Sequence, residues 1–440
     1  MTNLDRIRTA HADPEALEQA YRAALHSGER ATFISAIEEA YAAMPDNLLF
    51  GAWHYRLAYE LTAPARRVIP WLAAIVLAAI NGLIFWLLSD DRFMLEVQGQ
   101  ERLPLLLIVW APTCAAFVLA LLVAGGDRRL PLAALLAGVI LALGVVPLWA
   151  HTLISDATLA RHYLEQAVFH LALLAWAAVG IFVLSRRDNT LNRFTFLIKS
   201  LEIFIMAGLF AIAGVIFTGI TASLFEALAI TLPDVVMRLF LLGGAGLIPV
   251  LAVTVIYDAA APPAAQSFDE GLSKVIATLM RVLLPLTLGV LLVYLGFIPF
   301  RFWEPFQQRD VLIIYNAMLF AVIALLVGAT PLQPATLTPG LRVWLRRGLI
   351  AVALLAVVVS LYALAAIGYR TWEGGLTLNR LTIIGWNVIN IGVLTLLLVR
   401  QRRANDHTWA QAMHAAFGAG MPVYVAWALF VLLATPWIFR

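Results

Sequence analysis

The sequence predicts an all-α fold, a polytopic transmembrane helical bundle of about eleven spanning helices preceded by a small soluble helical cap. Three observations predict it. Hydrophobic residues make up 62% of the 440 positions and charged residues 13%, against roughly 45–50% and roughly 25% in soluble domains. Eleven apolar runs are each long enough to cross a hydrocarbon core of roughly 30 Å, which takes about 20 helical residues. The runs are continuously apolar rather than alternating, so strands are expected to be effectively absent and a β-barrel is excluded. The same composition excludes a dissolved enzyme and a disordered polymer.

Residues 1–65 form the expected cap and residues 66–440 the expected bundle. The first apolar run begins only at Val68, so no signal peptide is expected. Asp13-Pro14-Glu15 supplies an N-cap, a proline at the first helical position and an acidic first turn, and Ser27-Gly28 closes that helix. A second helix is expected over Ala31 to Met44, with Phe33, Ile34, Ile37, Ala40 and Tyr41 on one face. Pro45-Asp46-Asn47 restarts the chain toward Trp53, Tyr55 and Leu57. A three-helix unit of this size buries little core alone. With nine acids against five bases over residues 1–63, it reads as a solvated cap or as a dock for a cytoplasmic protein partner.

The spans are expected at Val68 to Leu88, Pro104 to Ala124, Leu130 to Ala150, Leu164 to Ser185, Ile203 to Phe225 and Val236 to Tyr257. They continue with Val275 to Ile298, Val311 to Thr330, Leu349 to Gly368, Leu381 to Val399 and Ala415 to Ile438. Lys and Arg are unevenly shared between alternate loops. Sixteen lie on one side, among them Arg128, Arg129, Arg186, Arg193, Lys199, Lys274, Arg346 and Arg402, and eight on the other, among them Arg161, Arg370 and Arg380. Because positive flanks stay inside, the amino terminus is expected in the cytoplasm and the carboxyl terminus outside. Two basic stretches, Arg186 to Lys199 and Leu341 to Arg347, mix Arg with aromatic and aliphatic residues and are expected to lie in the headgroup layer.

Ionisable residues within spans are costly and point to mechanism. Glu165 and Arg238 sit in first turns and can snorkel. Arg281 lies about two turns into its run, where it snorkels or meets a headgroup, a carboxylate or an anion. No chain of buried acids and histidines crosses the membrane, which argues against a proton-coupled pump. Asn387 and Asn390 share a helix face three residues apart, close to Trp386, and either line a cavity or bond a neighbouring helix. The sixth run carries Gly243-Gly244-Ala245-Gly246 and Pro249, and the seventh carries Pro285 and Gly289. Such interruptions are either substrate-binding breaks or packing features.

Cys114 is the only cysteine, so an intramolecular disulfide and a CxxC redox pair are excluded. His151, His162 and His170 gather around one external loop with Asp156 and Glu165; His162 and Glu165 share a face, but a metal would need a third ligand. His407 and His414 read as an interfacial face with Trp409 and Met413. No P-loop, dinucleotide fingerprint, zincin helix or nucleophile elbow appears. No base and nucleophile pair can be named, so the reading leans away from an enzyme. No cofactor, metal or nucleic-acid partner is expected.

The stretch Arg370-Thr371-Trp372-Glu373-Gly374-Gly375-Leu376-Thr377-Leu378-Asn379-Arg380, followed by an apolar helix, resembles a Gly-Leu-Thr-x-x-Arg signature of bacterial integral membrane proteins grouped as domain of unknown function 4153. The Phe194 to Tyr257 region with its Asp258-Ala-Ala-Ala-Pro-Pro exit is similar to them as well, so that the resemblance covers roughly residues 66 to 400. Gly374 departs from the pattern, standing where an aromatic is expected. The resemblance implies a bacterial cytoplasmic membrane and a helical bundle, and no reaction. From the residues themselves, Gly374-Gly375 is a tight turn, Thr377 an N-cap, and Arg380 is placed to bond back to the preceding loop. Two functions are expected: a conduit or secondary transporter for a neutral or lipid-like compound, with its cavity around the fifth to seventh and tenth spans, or a membrane scaffold or sensor that binds a partner through the cap.

Overall fold

The computed structural model describes residues 7, 9–27, 30–62, 69–97, 99, 101–268, 270–307 and 309–440. The chain divides into two compact units, Met1–Val68 and Ile69–Arg440. The expected boundary at 65/66, and the expected starts and stops at Val68 and Gly28, lie outside the described residues.

In the first unit, α1 (Pro14–Ser27), α2 (Arg30–Ala43) and α3 (Leu48–Thr62) follow the predicted order. Asp13 Oδ1 accepts the amides of Glu15 and Ala16 at 3.0 and 3.1 Å, and Asn47 Oδ1 accepts those of Leu49 and Phe50 at 3.0 Å. Both caps satisfy amides that the helix itself leaves unpaired. Leu17, Phe33, Ile37, Phe50, Trp53 and Leu57 form a core, with Tyr21, Phe33 and Trp53 in mutual ring contact. Arg56 lies over Trp53 at 4.5 Å and reaches Glu18 at 3.2 Å.

The second unit holds α4 (Trp71–Leu88), α5 (Leu105–Ala124), α6 (Leu130–Ala150), α7 (Ala157–Leu184) and α8 (Thr190–Ala227). The segment Asp234–Ile256, here α9, is helical throughout, and α10 (Gly271–Phe297), α11 (Arg309–Ala329), α12 (Pro339–Gly374), α13 (Leu378–Arg403) and α14 (Trp409–Ile438) complete it. Each expected run falls on a helix. Ten segments are long and apolar enough to cross a membrane; α11 contributes a shorter apolar stretch, Ile314–Ala329, among the described residues. The chain is a multi-pass, all-helical membrane bundle. Helices α4 to α6 and α9 pack as one group and α10 to α13 as another, with α7, α8 and α14 between them.

Strands are nearly absent, as expected: among the described residues β1 (Met94–Val97) and β2 (Glu101–Pro104) form one short antiparallel pair, turning at Gly99, whose φ of +71° suits a residue without Cβ. Two expectations are corrected. The helices outrun the apolar runs. Helix α8 starts at Thr190 instead of Ile203, capped by Asn189, and α7 at Ala157, capped by Asp156. Arg193 to Lys199 and Leu341 to Arg347, read as headgroup-layer loops, are therefore first turns of α8 and α12. Hydropathy reports where a helix meets lipid, whereas its hydrogen-bond ladder continues into polar flanks wherever caps satisfy the ends. Finally, the face of Trp409, Met413 and His414 is interior, with each residue buried; His414 Nε2 lies 3.2 Å from the Pro331 carbonyl and its ring stacks on Phe194 at 4.0 Å.

Two loops at the arginine-rich end are tied by ions. Asp127 meets Arg129 at 2.5 Å and Arg186 at 3.1 Å, and Arg129 also reaches the Phe182 carbonyl and Ser185 Oγ. Burial raises the Asp127 carboxyl's pKa, but the Arg129 hydrogen bond and the charges of Arg186 and Arg129 outweigh it, so the group stays below the ordinary carboxylate value.

Candidate functional site

Helix α13 begins as its sequence implies. Thr377 accepts the Arg380 amide at 3.4 Å, and Arg380 Nη1 donates to the Gly375 carbonyl at 2.5 Å. Gly375, at φ +73°, makes the turn that allows this return. A Cβ at Gly374 would lie 3.0 Å from Arg380 Nη1, so the glycine leaves room for the guanidinium.

About two and three turns further on, Asn387 and Asn390 are both fully buried and bond to neighbouring helices. Asn387 Nδ2 donates to Asn316 Oδ1 of α11 at 3.1 Å and to the Ile383 carbonyl at 3.2 Å. Tyr424 of α14 donates its hydroxyl to Asn390 Oδ1 at 2.7 Å. Trp386 stacks on Tyr424 with centroids 5.7 Å apart, meets Phe320 edge-on at 5.3 Å and faces His170 of α7 at 5.6 Å.

These aromatic rings hold α7, α11, α13 and α14 apart around a cavity of about 700 Å³. Its wall is mostly apolar, with Phe169, Leu173, Phe320 and Ile323 beside Trp386, and its polar liners are Glu165, Gln166, His170, Asn316, Asn379, Thr382 and Tyr424; Glu165 is ion-paired with Arg161 at 2.9 Å. Asn387 and Asn390 stand one layer back, bonded to Asn316 and Tyr424. The His170 Nδ1 contact to the Gln166 carbonyl, 2.7 Å, places the proton on Nδ1, because a carbonyl only accepts. Among the described residues its Nε2 is then an acceptor without a partner, as is Asn387 Oδ1, while Asn390 Nδ2 is a donor without one. Liners from Asn379 to Val393 of α13 extend over about 21 Å of helix at 1.5 Å per residue. A volume of this size with sparse polar groups is typical of a small-molecule site.

Two further cavities lie along the bundle. At the end opposite the arginine-rich loops, a cavity of about 520 Å³ is lined by Asp156, His162, Arg370, Thr377 and Arg380, and shares the liners Asn379 and Ile383 with the first. Gln166 Nε2 donates to Asn379 Oδ1 at 3.0 Å at the junction. Nearer the arginine-rich end, Arg281 lines a polar cavity of about 350 Å³ together with Glu202, Ser273 and Gln333. Beside it, Lys199 Nζ donates to Glu202 at 2.7 Å, to the Ser267 carbonyl at 2.6 Å and to Ser273 Oγ at 3.1 Å. Lys199, counted as a loop charge from the sequence, is thus an interior residue of α8, 3% exposed.

The remaining candidates lie elsewhere. Gly244 and Pro249 belong to α9, in the part that crosses α4. There a Cβ at Gly246 would fall 2.8 Å from Gly82 Cα, and Asn81 Nδ2 donates to the Gly246 carbonyl at 2.6 Å. The π-turn Leu239–Gly243 precedes this crossing. Pro285 lies within the continuous helix α10 and borders an apolar groove against Val343, Trp344 and Arg347 of α12. The cavity is therefore built from the fourth, eighth, tenth and eleventh expected spans, with Leu197 of α8, ahead of the fifth expected span, at one edge. Of the histidines, His151 bonds the Pro147 carbonyl at 3.0 Å, and among the described residues no three metal-ligating side chains gather. Asn316 and Tyr424 went unnoticed in the sequence. Their signal was only that each is a polar residue within an apolar run. No family model matches the chain, and no curated protein or solved structure matches it.

Proposed function

We propose that this chain is a conduit through a bacterial cytoplasmic membrane for a weakly polar, lipid-like compound, with its amino terminus inside and its carboxyl terminus outside. The observation that carries this reading is the aromatic-walled, mostly apolar cavity lined by His170 and backed by Asn387 and Asn390, three residues that each keep one buried polar atom without a partner among the described residues. Buried polar atoms are rarely left unpaired, and a site that uses such atoms is a common reason. The excess of arginine on one set of loops supports the orientation, and the resemblance of residues 370–380 to the family of unknown function supports the bacterial membrane.

Purification in native lipid, followed by mass spectrometry of co-purifying small molecules, tests the cavity. Ala317 lines it, and Ala317→Trp fills part of it. A compound retained by the native chain and depleted at least tenfold in this variant is the expected result; identical retention in both removes the cavity from the argument. Reporter fusions at the two chain ends, expected to give opposite locations, test the orientation.

A second reading, a scaffold that binds a protein partner through the cap, has one observation in its favour. Leu48 and Tyr55 are 90% and 67% exposed, next to the stacked Tyr41 and His54. Deleting residues 1–62 separates the two readings, since a conduit retains its cargo without the cap.

A further inference from the structure

The cavity that carries the proposed function is continuous in its lining with a second one of different chemistry. Asn379 and Ile383 border both. The smaller cavity, at the end away from the arginine-rich loops, brings Arg370 from the last turn of α12 together with Arg380 from the first turn of α13. Neither guanidinium has a carboxylate within ion-pairing distance among the described residues. Arg370 Nη1 is buried and has no hydrogen-bond partner, and Arg380 is held by the Gly375 carbonyl. The remaining charge is Asp156, whose Oδ1 is committed to the Leu159 amide at 2.7 Å as the α7 cap. Two fixed positive charges face one carboxylate, and His162 is the other titratable liner.

An unpaired guanidinium presents several donors in a planar fork that suits a carboxylate or a phosphate. Five other arginines near helix ends are paired with carboxylates: Arg129 and Arg186 with Asp127, Arg193 with Asp188, Arg238 with Asp90 and Arg346 with Asp406. Arg370 and Arg380 differ from these in sharing one cavity without such a partner among the described residues, beside a mostly apolar chamber.

We infer that the compound is an amphiphile with an anionic head, its head group held by Arg370 and Arg380 and its tail lying along Trp386, Phe320 and Ile323. The inference rests on the conduit reading for the tail and adds the head. Both ends of such a molecule meet their complement without further rearrangement of charge: the guanidiniums gain the counter-charge that the protein does not supply, and the tail leaves water for an aromatic-lined space.

Equilibrium binding of radiolabelled oleate to the full-length chain in dodecyl maltoside tests this, with oleyl alcohol as the uncharged control and acetate as the anion without a tail. Oleate is expected to bind at least tenfold more tightly than oleyl alcohol. Arg370→Gln reduces that preference, and Arg370→Gln with Arg380→Gln abolishes it, leaving the alcohol's affinity unchanged. Acetate in hundredfold excess leaves oleate bound. Equal binding of oleate and oleyl alcohol overturns the head-group assignment while the cavity reading stands, and binding of neither overturns both. An intact preference in Arg370→Gln also overturns the assignment; this single variant keeps the arginine return to Gly375, so it serves if the double variant does not fold. Displacement of oleate by acetate shows a simple anion site and overturns the amphiphile.

Discussion

The bundle buries polarity in two ways. At the Lys199 end of α8 the ammonium meets a carboxylate, a hydroxyl and a carbonyl within 3.1 Å, and the serine hydroxyl closes the cluster by donating to Glu202 at 2.8 Å. Around Asn387 and Asn390 each carboxamide uses one of its ends and leaves the other unpartnered. The first arrangement is complete and pins the loop over residues 258–270 to the helix. The second is incomplete and stands around space. A polar cluster whose partners all come from the protein reads as architecture, whereas one with idle donors and acceptors at a cavity reads as a place for something else.

Breaking the complete cluster has the largest expected effect. Glu202→Gln leaves a buried ammonium without its counter-charge and is expected to cost about 3–5 kcal/mol, seen as a lower midpoint of thermal unfolding in detergent. Lys199→Met combined with Glu202→Met recovers most of that loss, because the pair is removed together.

The α4–α9 crossing ranks next. Gly246→Val places carbon against Gly82 and Asn81 backbone, and overpacking of this kind costs about 1–3 kcal/mol. The unfolding midpoint falls while oleate affinity, measured at a temperature where the variant stays folded, is unchanged. Loss of affinity there would join the crossing to the cavity and erase the distinction.

Asn387→Leu with Asn390→Leu inverts the pattern. Interhelical hydrogen bonds in membranes are worth about 0.6 kcal/mol on average, so the melting temperature moves little, whereas retention of the co-purifying compound falls severalfold. If retention is untouched, the unpartnered atoms have no part in the site.

Acid gives the smallest effect. The Asp127 carboxyl has a pKa lowered in the fold, so its contribution is present above the unfolded value of about 3.9 and disappears as pH falls through the folded one. The thermal midpoint of the native chain is expected to decline below about pH 4, and to decline less in Asp127→Asn.

How much of this was legible in the sequence follows from how local each signal is. A spanning helix needs only apolar composition over its own length, so each run marks a helix. The start of α8 did not show, because Lys199 and Glu202 are polar residues whose partners include the loop holding Ser267 and Ser273, about 70 positions away. Asn387 and Asn390 stood out as a spaced polar pair, but their partners on α11 and α14 are set by tertiary contact. Glycines told least: Gly244 and Gly246 look like a helix break in one dimension, whereas only Gly82 on another helix shows that Gly246 serves a close approach and Gly244 does not. Likewise the Arg380 return to Gly375 was readable from adjacent residues, while its neighbour Arg370 was not, since two helices must end at one spot to bring the pair together.

Helix α8 runs for 38 residues, about 57 Å of rod, and from Phe204 through Leu228 its large side chains are mostly exposed. A hydrocarbon layer about 30 Å deep cannot house that length upright. The rod must lean, or run part of its course along the surface, and the angle depends on how thick the surrounding lipid is. Since α9, α11 and α14 pack on α8, lipid thickness becomes a setting that reaches the walls of the central chamber.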